Sequence, residues 1–151
     1  MAALFFTSCG KVVFDETHAI KNNNWMRFEP ETFMVDIRNA DDYYNVDMTV
    51  TIDTNMVKGK DFPLVINIIS EDDELRMFDA HIPLVDYKTG KRLGTFDGSV
   101  QTATFCVRKF MSFNKSGKYK VEVKQGTPKY ELPGVYQFGV RVEKAKLELP
   151  E

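Results

Sequence analysis

Cysteine is scarce in this chain of 151 residues: Cys9 and Cys106 are the only two, too few for a disulfide framework. Histidine is as rare. His18 and His81 lie far apart, and neither belongs to a HxxH or HExxH spacing, so no zinc-type ligand pattern is present. No apolar run approaches the ~20 residues of a membrane-spanning helix. Neither sign of charge dominates: 20 Lys+Arg stand against 22 Asp+Glu, a net charge of −2. That balance argues against a nucleic-acid binder, which carries a basic face. A nucleophile elbow, a phosphate loop and a nucleotide fingerprint are all missing. So is any window with apolar residues at helical i, i+3, i+4 spacing over a useful length.

What the chain does hold is aromatic and β-prone. Aromatics make up 13% of it, which excludes a disordered chain. Its length suits one domain, large enough to bury a core without metal or disulfide staples. Period-two alternation is the dominant signal, placing alternate side chains on opposite faces of half-buried strands. Phe33, Val35 and Ile37 alternate with Thr32, Met34 and Asp36, and Tyr44, Val46, Met48, Val50 and Ile52 with Asn45, Asp47, Thr49, Thr51 and Asp53. The same holds for Phe78, Ala80, Ile82 and Leu84, for Ala103, Phe105 and Val107, and for Tyr119, Val121 and Val123. Tyr136, Phe138, Val140 and Val142 form the last such set. Leu64 to Ile69 is nearly continuous in apolar content, which predicts a central strand buried on both sides.

Turn residues punctuate these runs at Lys58-Gly59-Lys60, Glu71 to Glu74, Lys88 to Lys91, Asp97-Gly98, Ser116-Gly117 and Pro133-Gly134. Seven or more strands at this spacing predict an all-β fold, a single antiparallel β-sandwich of immunoglobulin-like or jelly-roll-like type. Its extent is residues 10–144, with a frayed tail over 145–151. Glu71-Asp72-Asp73-Glu74 has the hard oxygen ligands that Ca²⁺ takes, but it falls where a hairpin must be solvated and lacks a Ca²⁺-loop spacing. It reads as a turn, as does Asp41-Asp42, and no metal site is expected. Cys106 sits among β-prone apolar residues and reads as a buried structural thiol. Trp25, Tyr43, Tyr87 and Tyr130 are the aromatics worth testing for ligand stacking, with core or rim packing as the default for each. No residue is marked as catalytic and no cofactor is expected.

The N-terminus reads as the end of a lipoprotein signal. Ala2-Ala3-Leu4-Phe5-Phe6 is apolar, Thr7-Ser8 supplies small residues, and Cys9-Gly10 follows. The apolar stretch is short and no cation precedes it, the pattern of a chain that begins late in its signal. Residues 1–9 are therefore expected to be a signal remnant ending at Cys9, whose thiol would carry the lipid. The reading without a lipid is an ordinary N-terminal strand with a buried Cys9.

Several of these segments together resemble the gliding motility lipoprotein GldH family. The resemblance is carried by Cys9, Val13-Phe14-Asp15-Glu16, Asn22-Asn23-Asn24-Trp25 and, most specifically, Leu132 through Lys144. Phe62-Pro63-Leu64, Ile82-Pro83-Leu84, Leu93-Gly94 and Gly117-Lys118-Tyr119 add shorter matches. Where the family has a Gln-x-Met-Arg stretch, this chain has Gln125-Gly126-Thr127-Pro128. The resemblance implies a non-catalytic, lipid-anchored protein of the cell envelope that faces the periplasm. It implies accessory work for motility or type IX secretion through contacts with other proteins, without nucleic acid. Two readings of other classes remain open from the residues alone: a carbohydrate-binding sandwich using surface aromatics, and a hydrolase with acids or a Ser/His pair converging in a cleft.

Overall fold

The alternation read from the sequence becomes nine strands in the structure, a computed structural model that describes residues 11–146. Among the described residues they are β1 (Val12–Ala19), β2 (Glu31–Ile37), β3 (Tyr44–Asp53), β4 (Asp61–Ile69) and β5 (Leu75–Pro83). β6 (Thr95–Asp97), β7 (Val100–Met111), β8 (Gly117–Gln125) and β9 (Val135–Lys144) complete the set. All pairings are antiparallel. They form two sheets, β1-β9-β3-β7-β6 and β2-β8-β4-β5, packed face to face as the expected all-β sandwich.

The strand order has a simple origin. β4 and β5 form the innermost hairpin, β3 pairs with β7, β2 with β8, and β1 with β9. The chain is thus one long hairpin folded about Glu71–Glu74, then rolled so that β9 also meets β3 and β8 also meets β4. Of the two topologies expected, this is the jelly roll. The roll closes the core between the inward rows: Phe33, Val35 and Ile37, Met48 to Ile52, Leu64 to Ile68, and Phe138 to Val142. Fully burying each large side chain in these rows stabilises the fold by roughly 1.5–3 kcal/mol.

Four details depart from the simple alternation. β4 is central, but Val65, Asn67 and Ile69 are only half-buried, because a two-layer sandwich leaves one face of each sheet to solvent. Phe105 follows the inward parity of Ala103 yet is 41% exposed. The facing sheet ends at β5, so the Phe105 ring lies beside His81, 5.9 Å between centroids, instead of beneath a sheet. A register shift opposite Thr51/Ile52 turns Val135 inward and leaves Tyr136 half-buried, its hydroxyl donating to Asp53 at 3.2 Å. Cys106 is not a core residue. It lies half-buried opposite Asp47, where its Sγ–H donates to the Arg108 carbonyl at 3.2 Å. Burial and then the Asp47 charge raise its thiol pKa. At the other terminus, Ala145 is buried and its N–H is bonded to the Tyr43 carbonyl, so the chain is tied down one residue past β9.

Candidate functional site

The two ends of the sandwich differ. Lys11 and Ala145 lie at one end, where the Lys144 N–H reaches the Lys11 carbonyl, together with the loops after β2, β4 and β7. The opposite end is built by segments 20–30, 54–60, 84–94, 98–99 and 126–134. β3 alone has ten residues, so at about 3.3 Å per residue the ends stand roughly 30 Å apart.

At the far end the β1–β2 and β8–β9 connections run side by side as a short irregular ladder. Trp25 N–H donates to Leu132 O at 3.0 Å, Arg27 N–H to Tyr130 O at 2.8 Å, and Gly134 N–H to Asn23 O at 2.8 Å. Asn24 bridges to Pro133, and its side chain accepts from Leu132 N–H at 3.0 Å. Asn22 and Asn23 take left-handed backbone angles, φ 58° and 51°, which asparagine tolerates better than most side chains. Beneath the ladder Trp25 is the peg. It is 1% exposed, packs against Phe138 and Phe62 at 5.0 and 5.9 Å, and donates its indole N–H to Glu29 O at 3.0 Å.

Two buried glutamines stiffen this end. Gln125 donates to the carbonyls of Lys129 (2.9 Å) and Trp25 (3.4 Å), and accepts from the Thr127 N–H and hydroxyl at 2.8 and 2.6 Å. Gln101 donates to the carbonyls of Leu84 and Leu93 at 2.9 and 2.8 Å and accepts from Arg92 at 3.0 Å. Buried amides are tolerated only when paired in this way. These bonds hold the 84–93 and 125–129 segments in one arrangement.

What these supports hold out is apolar. Phe28 is 70% exposed and Tyr130 is 60% exposed, their rings 5.9 Å apart and tilted by 52°. The Arg27 guanidinium lies 5.9 Å from the Phe28 ring centre, within cation–π range. Met56, Tyr87 and Leu93 are also exposed on segments of this end, and Phe96 on the adjoining β6. Aromatics, Met and Arg are the residue types enriched at protein–protein interfaces.

The residues singled out from sequence are scattered. Trp25 is inside and presents no face to a ligand, while Tyr43 lies at the Lys11 end. Tyr87 and Tyr130 share the far end on separate loops. The Tyr87 hydroxyl donates to Asp61, and that bond, more than burial, raises its pKa. The Tyr130 and Phe28 rings are tilted to one another and do not form one flat face. Glu71 accepts from the Lys118 N–H, Asp72 pairs with Lys115, and Ser70 closes the turn by accepting from the N–H groups of Asp72 and Glu74. His18 stacks on Phe33 and bonds Glu31 and Glu16, bridging β1 to β2. Asp36 and Asp42 line a cleft of about 470 Å³ at the Lys11 end, where each is ion-paired, to Arg38 at 3.5 Å and Lys144 at 3.4 Å. No three His, Cys, Asp or Glu groups among the described residues converge on a metal position. Cys9, the expected lipid attachment site, lies outside the described residues.

Sequence reasoning missed Phe28, Gln101 and Gln125. For the glutamines a signal existed. Gln125 continues the inward row Tyr119, Val121 and Val123, and Gln101 precedes Ala103 on the same parity, so both are polar residues at core positions.

The profile of the GldH lipoprotein family matches residues 12–142. A gliding motility lipoprotein GldH homolog from Christiangramia forsetii is 26% identical over 161 residues, covering 94% of this chain and 90% of the relative. A solved fructofuranosidase from Schwanniomyces occidentalis, complexed with fructosylnystose, aligns with a TM-score of 0.42 and 9% identity. That alignment covers 92% of this chain and 35% of the enzyme, and no functional residue is carried over from it. Since the family profile spans β1 to β9, nearly the whole described sandwich, the chain belongs to the GldH lipoprotein family.

Proposed function

We propose that the protein is a lipid-anchored, non-catalytic component of the cell envelope, an accessory of the gliding motility and type IX secretion type. It works by presenting a preformed loop surface to other proteins. Cys9 is the lipid attachment site and the sandwich faces the periplasm. One observation carries the reading. The segments that bear the family resemblance, Asn22 to Trp25 and Leu132 to Tyr136, lie more than a hundred residues apart in sequence, yet they meet in the ladder that supports Phe28 and Tyr130. That surface is at the end opposite Lys11. Cys9 is two residues before Lys11, within about 7 Å along the chain, so a lipid there leaves the loop surface pointing away from the bilayer. A Cys carrying several acyl chains holds far more firmly than a single chain would.

The test is Cys9→Ser in the chain expressed with a complete signal. The variant is expected to leave the detergent-dependent membrane fraction and to lose label from radioactive palmitate. A Cys9→Ser protein that stays in the membrane pellet and is labelled as before would show that the anchor lies elsewhere.

A further inference from the structure

The two ends of the sandwich differ in charge as well as in apolar exposure. Segments 20–30, 54–60, 84–94, 98–99 and 126–134 together carry eight Lys or Arg against three Asp or Glu. The described residues outside the strands at the Lys11 end, Lys11, 38–43, 70–74, 112–116 and 145–146, carry four against six. A chain of net charge −2 is therefore polarised along its long axis, cationic where Phe28 and Tyr130 are exposed and anionic where the chain enters the fold.

We infer that the loop end far from Lys11 docks a protein partner whose own surface is acidic around an apolar pocket. The inference rests on the anchored, protein-binding reading above and adds the chemistry of the partner to it. Phe28 has no polar atom to satisfy, so it gains most by leaving water for an apolar pocket. Tyr130 beside it adds area at low entropic cost. Arg27 and Lys129 precede the two rings and Glu29 and Glu131 follow them, so the cationic excess comes from Lys58, Lys60, Lys88 and Lys91 on the neighbouring loops. A cationic rim of this kind attracts an acidic surface during approach and penalises a basic one. A bilayer is the weaker candidate for this end. The lipid proposed at Cys9 holds the opposite end of the sandwich, roughly 30 Å away.

The experiment places a photo-cross-linking residue at Phe28, at Tyr130 or at Asp73 in the full-length lipidated protein, in membranes of cells that make it. Exposed positions are used so that folding is preserved, and unchanged thermal melting confirms it. Protein adducts are expected from positions 28 and 130, with few from 73. The cross-linked partner peptide should lie on an acidic surface. Adduct yield should fall several-fold when NaCl rises from about 0.1 to about 1 M, which shortens the screening length from about 10 to about 3 Å. Combining Arg27→Glu with Lys129→Glu should lower the yield about tenfold, whereas Lys115→Glu at the other end should not. Adducts to lipid, adducts on a basic peptide, or a yield indifferent to salt and to charge reversal would overturn the inference. Protein adducts only from position 73 would overturn it while sparing the protein-contact reading. Absence of protein adducts at all three positions would overturn both.

Discussion

Gln125→Leu tests whether the loop surface is preformed. Leucine is close to glutamine in size, so the substitution opens little cavity and removes four hydrogen bonds: two donated to Lys129 O and Trp25 O, two accepted from Thr127. Thr127 and Lys129 reach solvent and regain partners from water, at a net loss of about 1 kcal/mol for the bonds given up. The Trp25 carbonyl lies in the interior, and leaving it without this partner costs about 1–3 kcal/mol more. The sum is about 2–4 kcal/mol, or a fall in melting temperature of about 5–15 °C for a domain of this size. The loss should also be local. Amide exchange is expected to speed at Trp25, Arg27 and Thr127 more than in β4, and Gln101→Leu should instead loosen the 84–93 segment. Thermal melting with residue-resolved hydrogen exchange reads both effects. A Gln125→Leu protein that melts with the wild type and keeps its protection at Arg27 would refute the idea that this glutamine pins the loops.

Three further outcomes follow from other parts of the fold. A Cβ on Gly139 would come within 2.7 Å of Thr17 Oγ1 and 3.2 Å of Glu16 O, so Gly139→Ala should cost about 1–3 kcal/mol in urea unfolding, and Thr17→Ala should restore part of it. No cost, or no rescue, would contradict the close packing of β1 on β9. Burial first and Asp42 second hold the Tyr44 pKa above its usual value, so this contribution to stability is intact below about pH 10 and is lost as pH rises through the folded-state pKa. Unfolding free energies measured from about pH 8 to 11 should decline, and less steeply in Tyr44→Phe; an equal slope in both would be the contrary result. The Cys106 thiol should react with a chromogenic disulfide at about pH 8 more slowly than a small free thiol, and faster after Asp47→Asn, because burial and Asp47 both disfavour its thiolate. Reaction as fast as the small thiol would contradict that environment.

The layers of the sandwich were legible in the sequence because alternation is a local signal: each of Tyr44 to Ile52 announces its face by the identity of its neighbours. Pairing is not local. Nothing in Val12 to Ala19 names Val135 to Lys144 as its partner, and the jelly roll was distinguishable from its alternative only in the structure. Edges also escape the pattern. Phe105 has the parity of a core residue, but whether parity means burial depends on how far the opposite sheet extends. The far-end site was half visible. Asn22 to Trp25 and Leu132 to Tyr136 stood out as family marks, while their contact did not, and Trp25 drew attention as a ligand-stacking candidate when its work is internal support. Phe28 lies in a segment without periodicity, where an exposed and a buried phenylalanine look the same.

The most direct test of the central claim is the amount of type IX cargo released to the medium by a strain that lacks its own copy of this protein and is supplied with variants of it. The lipidated wild type is expected to restore release. Neither Cys9→Ser nor the Phe28→Ala, Tyr130→Ala pair should do so, although both fold and accumulate like the wild type. Full release by the doubly substituted protein, or by the unanchored one, would contradict an anchored protein that works through this loop surface.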